Sequence, residues 1–274
     1  MKKILFISAA DQLQDGAYRL VKQMAENETI SVKGLFFSAE NHEENMGRGF
    51  IAITEPVLKR YRNESILLDG CRHKFAVECE GIGVRYTIHP NESVWDTDLF
   101  VKESRFSDLV LISANTFQTA NQQAESSYFM EQVLRFSECP VIVVPEGFRE
   151  IDRLAIAYDA GAESMFALKQ FVYLFPYFTD HPSDIIHVKN DGIDDIPNRN
   201  LLLEYTKAHF DSTFASKLQF DAKKYFTTWV ENKKNVILIT GAYSRSSFSN
   251  TMRRSFAYPT IADHICPVFV AHSA

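Results

Sequence analysis

Ten short apolar runs recur along the chain, and stretches of helical period separate them. In the first half the runs are residues 3–8, 31–37, 83–89, 108–114 and 140–145; in the second they are 153–158, 184–189, 213–220, 235–241 and 267–272. Several are apolar almost throughout, the pattern of strands covered on both faces as in a parallel sheet. Between them, Ala17, Leu20, Val21 and Met24 fall at i, i+3, i+4 and i+7, and Met165, Leu168, Val172 and Phe175 keep a similar period. Each set predicts one apolar helical stripe. A further helix opens after Pro197 and runs through Leu201, Leu202, Tyr205 and His209, and a shorter one is expected over 222–231. Strand and helix alternate as βαβ units, whose right-handed crossovers build doubly wound sheets.

The two halves repeat each other. Glu138-Cys139-Pro140-Val141-Ile142-Val143-Val144-Pro145 returns as Ile265-Cys266-Pro267-Val268-Phe269-Val270-Ala271-His272, an offset of 127 residues from Cys139 to Cys266. The same offset sets Leu109-Val110-Leu111-Ile112-Ser113-Ala114 on Val236-Ile237-Leu238-Ile239-Thr240-Gly241, and Phe129 on Phe256. The starts of the halves, Ile4 and Leu154, lie 150 apart, so the first copy holds 23 more residues, expected mostly in the polar stretch 39–53. The expectation is two tandem α/β domains, 1–148 and 149–274. Each is a doubly wound, mainly parallel five-stranded sheet flanked by helices, Rossmann-like in plan, and a pseudo-two-fold axis is expected to relate the repeats.

Composition narrows the partners. With 274 residues, 46% of them hydrophobic, the chain can bury two ordinary cores. A net charge of −6 and no basic run longer than Arg253-Arg254 argue against nucleic acid. No apolar stretch approaches the ~20 residues of a membrane span, and a strand starts within three residues of Met1, so no membrane and a cytoplasmic location are expected. Cys139 and Cys266, each just before a proline and an apolar strand, read as small buried thiols. Cys71, His73 and Cys79 match no common zinc spacing and read as structural. No metal site is expected.

Catalytic motifs are absent: there is no G-x-S-x-G, no G-x-x-x-x-G-K-S/T and no H-E-x-x-H. His181 and His187 flank one strand and His264 and His272 another, and each reads as a surface or strand-end histidine rather than a base. No catalytic residue is assigned.

Ligands of doubly wound sheets sit beyond the carboxyl ends of the strands. That directs attention to Tyr158-Asp159-Ala160-Gly161 and to Thr240-Gly241-Ala242-Tyr243-Ser244-Arg245. With the Asp turn, the apolar fourth strand and the Cys-Pro-Val ending, the chain resembles the universal stress proteins in their tandem form. Adenine-nucleotide-binding members of that family carry an Asp after the first strand and G-x-x-G-x9-G-S/T after the fourth. The resemblance implies pairing of the repeats through their last strands, Val141 to Val144 and Val268 to Ala271, ATP or another adenine nucleotide as a ligand, and a binding set of Asp159, Val188, Thr240, Gly241, Ser244, Arg245, Arg254 and Ser255. Asp159 matches the acid and Gly241 the first glycine, whereas Ser244 and Arg254 stand where the second and third glycines belong.

Glycines in such a loop let backbone N–H groups approach phosphate without an intervening Cβ, so the two replacements matter. Arg254 either blocks a phosphate or bonds it; with Arg245 and Arg253 it forms an anion site or lines a solvated face. Asp159 either caps a helix or touches a ligand. Ser246, Ser247 and Ser249 read as loop polarity, phosphate donors or modification sites. The first half departs further: Ser8-Ala9-Ala10 replaces the Asp turn and Ala114-Asn115-Thr116-Phe117 the glycine loop, with Ser127 and Tyr128 at the later positions. Three readings stand: a stress-response protein binding nucleotide in its second domain only, a scaffold of the same family without nucleotide, and an ATP hydrolase that lacks an evident base. Protein partners, a homodimer included, are open.

Overall fold

A computed structural model describes residues 1–9, 14–37, 55–90, 95–117, 123–188, 195–218, 228–230, 233–241 and 257–273. All ten predicted strands form. The first half runs β1 (Lys2–Ala9), α1 (Asp15–Asn27), β2 (Ile30–Phe37), α2 (Glu55–Ile82), β3 (Arg85–Ile88), α3 (Thr97–Arg105), β4 (Leu109–Ser113), α4 (Gln123–Phe136) and β5 (Val141–Val144). The second runs β6 (Arg153–Ala157), α5 (Ala162–Leu174), β7 (Ser183–Val188), α6 (Arg199–His209), β8 (Thr213–Leu218), β9 (Val236–Gly241), α7 (Ala257–Ala262) and β10 (Val268–Ala271).

The two five-stranded sheets join into one. The strand order is β3-β2-β1-β4-β5-β10-β9-β6-β7-β8, parallel throughout except where β5 meets β10 antiparallel. At that seam Val143 pairs with Val268, Ile142 with Phe269 and Val141 with Val270. Read from either end, the order is the same: third, second, first, fourth, fifth strand of a repeat. Each face carries one apolar core that crosses the seam. One holds Ile4, Phe6, Ile142, Leu154, Ile156 and Phe269 under α1, α2, α5 and α6; the other holds Leu5, Ile7, Val143, Ala155, Leu238 and Val268 under α3, α4 and α7. Double-sided burial is why these strands lack polar alternation.

Further contacts bind the halves. Gln23 of α1 bonds both ways with Ile151, its Nε2 donating at 2.8 Å to the carbonyl and its Oε1 accepting at 2.9 Å from the amide. Arg19 donates to the Phe148 carbonyl at 2.6 Å. The Lys2 ammonium donates to Glu28 and to the Leu174 carbonyl at the end of α5, above the rings of Phe175 and Tyr177. A cation suits the carbonyl end of a helix.

Three details differ from the sequence reading. The extra residues of the first half fall between the second and third strands: 47 residues separate β2 from β3 and 24 separate β7 from β8. The stretch 39–53 lies outside the described residues, but α2 has 28 residues against 11 in α6, so 17 of the 23 are accounted for by a longer helix. Leu68, Phe75 and Cys79 on α2 enter the core beneath it. On α6 the buried residues are Leu202 and Thr206, and Leu201 is exposed, because this helix packs on the sheet along a narrow line. In α5 the buried stripe is Ala167, Leu168, Phe171 and Val172, with Met165 at its border.

All four cysteines are free thiols. Burial pushes Cys139 and Cys266 up to about 12, from an ordinary value near 9. An unfolded chain would ionise these thiols first, so their contribution to stability is present below about pH 9 and is lost as pH rises above it. Cys266 is buried as expected, whereas Cys139 is only half-buried, so native protein near pH 8 should leave Cys266 unalkylated by iodoacetamide and label Cys139 slowly, while the denatured protein is labelled at both; rapid native labelling of Cys266 would contradict its burial.

Candidate functional site

The carboxyl ends of β9, β6 and β7 lie side by side, because β6 pairs with both neighbours. This edge brings together four residues singled out in the sequence: Thr240 and Gly241 at the end of β9, Asp159 just past β6 and Val188 at the end of β7. Ser244, Arg245, Arg254 and Ser255 lie outside the described residues, as do Ser246, Ser247, Ser249 and Arg253.

The turn after β6 is tightly specified. Tyr158 is buried; its amide donates to the Ile186 carbonyl at 2.9 Å and its hydroxyl to the Pro197 carbonyl at 3.1 Å. Burial raises the pKa of that hydroxyl. Asp159 is exposed, and its Oδ1 accepts from the Gly161 amide at 2.8 Å. Ala160 between them has φ of 66°, a left-handed conformation that costs a non-glycine residue about 1–2 kcal/mol. Gly161 is the N-cap of α5 and no side chain caps the helix; the Asp159 carboxylate instead closes the turn that leads into it, by its bond from the Gly161 amide. Asp159 thus has a local structural role, and its carboxylate still reaches solvent.

Gly241 also has a contact that explains it. A Cβ at this position would lie 2.5 Å from the carbonyl carbon of Glu163, 2.6 Å from its oxygen and 2.7 Å from the amide nitrogen of Ser164. The first turn of α5 rests directly on the end of β9, and only a glycine leaves room. The Glu163 carboxylate then reaches across to accept from both the backbone amide, at 2.9 Å, and the hydroxyl of Ser273, just past β10.

Sequence reasoning missed two residues here. Glu163 was invisible because its partner Ser273 is 110 positions away. His187, read as a surface or strand-end histidine, is at the strand end but only 1% exposed. Its place two residues after Ile185, on the same side of the strand as the first core, was the available signal. The His187 Nδ1 lies 2.8 Å from the Tyr158 carbonyl. A carbonyl only accepts, so Nδ1 is the donor of this bond. The Nε2 is buried without a partner among the described residues.

The first half provides the comparison, with one correction to the alignment. Ile4 pairs with Leu109 and Leu154 with Ile237; Val110 pairs with Val141 and Leu238 with Val268. Both registers set β4 on β9 with an offset of 128 residues, and Leu109 and Ile237 then face the same core. Ser113, not Ala114, therefore occupies the place of Gly241. By the same pairing Ser8 matches Tyr158, Ala9 matches Asp159, Phe36 matches His187 and Phe37 matches Val188. Phe37 packs within 5.1 Å of Trp95 and 5.0 Å of Phe129, ring centre to centre, so aromatic side chains fill this end of the first half.

With this geometry in place, comparison with known structures is informative. A universal stress protein from Archaeoglobus fulgidus DSM 4304 superposes with a TM-score of 0.65 at 16% identity over 98% of each chain. A functionally unknown protein from Pseudomonas aeruginosa PAO1 gives 0.55 at 12% identity, covering 99% of this chain and 92% of that one. A candidate universal stress protein from Pseudomonas aeruginosa UCBPP-PA14 gives 0.54 at 12% identity, covering 99% and 93%. No protein-family model matches the sequence, and no curated protein does. The chain has the Rossmann-like fold of the universal stress proteins over nearly all of its length. Among the described residues no helix is long and apolar enough to cross a membrane.

Proposed function

We propose that this chain is a cytoplasmic stress-response protein of the universal stress type, in which two repeats pair as a fused dimer and the second repeat alone binds an adenine nucleotide. The observation that carries it is the asymmetry at the carboxyl edges. The second half places an acid and a glycine on adjacent strands, Asp159 after β6 and Gly241 at the end of β9, where the first half has Ala9 and Ser113. The crevice between such strands, at the reversal of strand order, is where doubly wound sheets take their ligands. Asp159 would meet the adenosine side, with Val188 beside it; Thr240, Gly241 and the segment holding Ser244, Arg245, Arg254 and Ser255 would meet phosphate. No catalytic role is proposed.

Titration calorimetry with ATP tests this. One site per chain is expected, weakened about 10- to 100-fold in Asp159→Ala, the range of one charge-assisted hydrogen bond. Two sites per chain, or affinity unmoved by Asp159→Ala, would contradict the proposal.

A second reading, an interaction scaffold without nucleotide, has its own support. Asp159 closes the turn into α5 and Gly241 accommodates α5, so both residues have reasons to be present with no ligand at all. Absence of any heat with ATP, and of any nucleotide released from freshly purified protein, would favour it.

A further inference from the structure

We propose that His187 is the positioning residue of the second-half site, holding the turn that presents Asp159; the proposal rests on the reading of Asp159 as a ligand contact. His187 is buried in β7, and its Nδ1–H donates to the carbonyl of Tyr158, the residue directly before Asp159. Tyr158 is held a second time by its hydroxyl on Pro197. The peptide entering the Asp159 turn is thus clamped from two neighbouring segments, and it leads into the left-handed Ala160 and the bond from Gly161 to Asp159.

The chain contains its own control. The equivalent place in the first half is taken by Phe36, fully buried and packed edge-on against Phe75 with ring centres 5.3 Å apart. An apolar ring therefore satisfies this position of the fold. The second half instead keeps an imidazole whose Nε2 is buried without a partner among the described residues, an unfavourable arrangement that Phe36 avoids. What the histidine supplies in return is the bond to Tyr158. In the first half Ala9 stands in place of Asp159, Ser8 in place of Tyr158 and Phe36 in place of His187, so neither the acid nor the histidine is present at these positions.

The test is His187→Phe, a side chain the fold already accepts in the twin position, with His187→Asn as the conservative variant whose amide nitrogen falls near Nδ1. Two quantities are measured: hydrogen exchange of the Gly161 amide by NMR, and ATP affinity by calorimetry in wild-type and Asp159→Ala backgrounds. His187→Phe is expected to speed Gly161 exchange and to weaken ATP binding, each roughly fivefold, the equivalent of one neutral hydrogen bond. His187→Asn should restore both, and the effect on ATP should vanish when Asp159 is already alanine. Unchanged Gly161 exchange in His187→Phe, or faster exchange with unaltered ATP affinity, overturns the proposal. Faster exchange in a protein whose wild type binds no ATP supports the clamp and overturns the nucleotide reading instead.

Discussion

Phe171→Ala is expected to cost about 3–5 kcal/mol, the range for removing a buried phenylalanine side chain. Phe171, in the buried stripe of α5, is wholly buried, and its ring lies 5.2 Å from Phe175, 6.4 Å from Phe178 and 5.3 Å from Phe269, centre to centre. These neighbours are themselves locked: Phe175 lies under the Lys2 ammonium, and Phe269 sits in β10 against Ile142 of β5. Little can move in to fill the space, which places the cost toward the upper end. Because Phe269 belongs to the seam, the damage should reach the first half as well, and guanidinium unfolding should show the whole transition shifted to lower denaturant. A loss under about 1 kcal/mol, or an early transition confined to the second half, would mean that the seam does not couple the repeats as its packing indicates.

Gly241→Ala is expected to destabilise the ligand-free protein by about 1–3 kcal/mol, the usual cost of overpacking. The new methyl would meet three backbone atoms of Glu163 and Ser164 at 2.5–2.7 Å, and a backbone cannot rotate aside as a side chain can. To accept the methyl, α5 would have to lift from β9, disturbing the bond from Gly161 to Asp159 and the bonds from Ser273 to Glu163. The measurement separates two reasons for a glycine. If it exists solely to admit phosphate, alanine is harmless in the absence of nucleotide; a stability loss without ligand shows that the fold itself requires it. Equal unfolding midpoints for the two proteins would remove the packing argument.

These two residues show what sort of information each level of description holds. The seam was foreseeable: a repeated Cys-Pro-Val ending implies equivalent last strands, duplicated units tend to associate symmetrically, and the resemblance to the universal stress proteins implies that these strands are the ones that pair. The contact of Gly241 with Glu163 joins segments 78 positions apart, and no local pattern records it.

Local physics accounts for what the sequence alone determined: ten strands, the alternation of strand and helix, the duplication and the neighbourhood of Asp159 and Gly241. Strands buried on both faces must be apolar throughout, and helices on a sheet must carry one apolar stripe, so composition and period reveal them. Tertiary structure decided the rest, wherever several local readings were equally good. The runs around Leu109 and Val236 look alike at offsets of 127 and 128; only pairing with β1 and β5 in one half, and with β6 and β10 in the other, selects the second. Leu201 and Leu202 are chemically the same side chain, and the line along which α6 meets the sheet leaves one in water and buries the other. A histidine bonds or packs according to its surroundings, and those of His187 are a carbonyl from beside the next strand and an apolar core, both assembled only when the sheet forms around it.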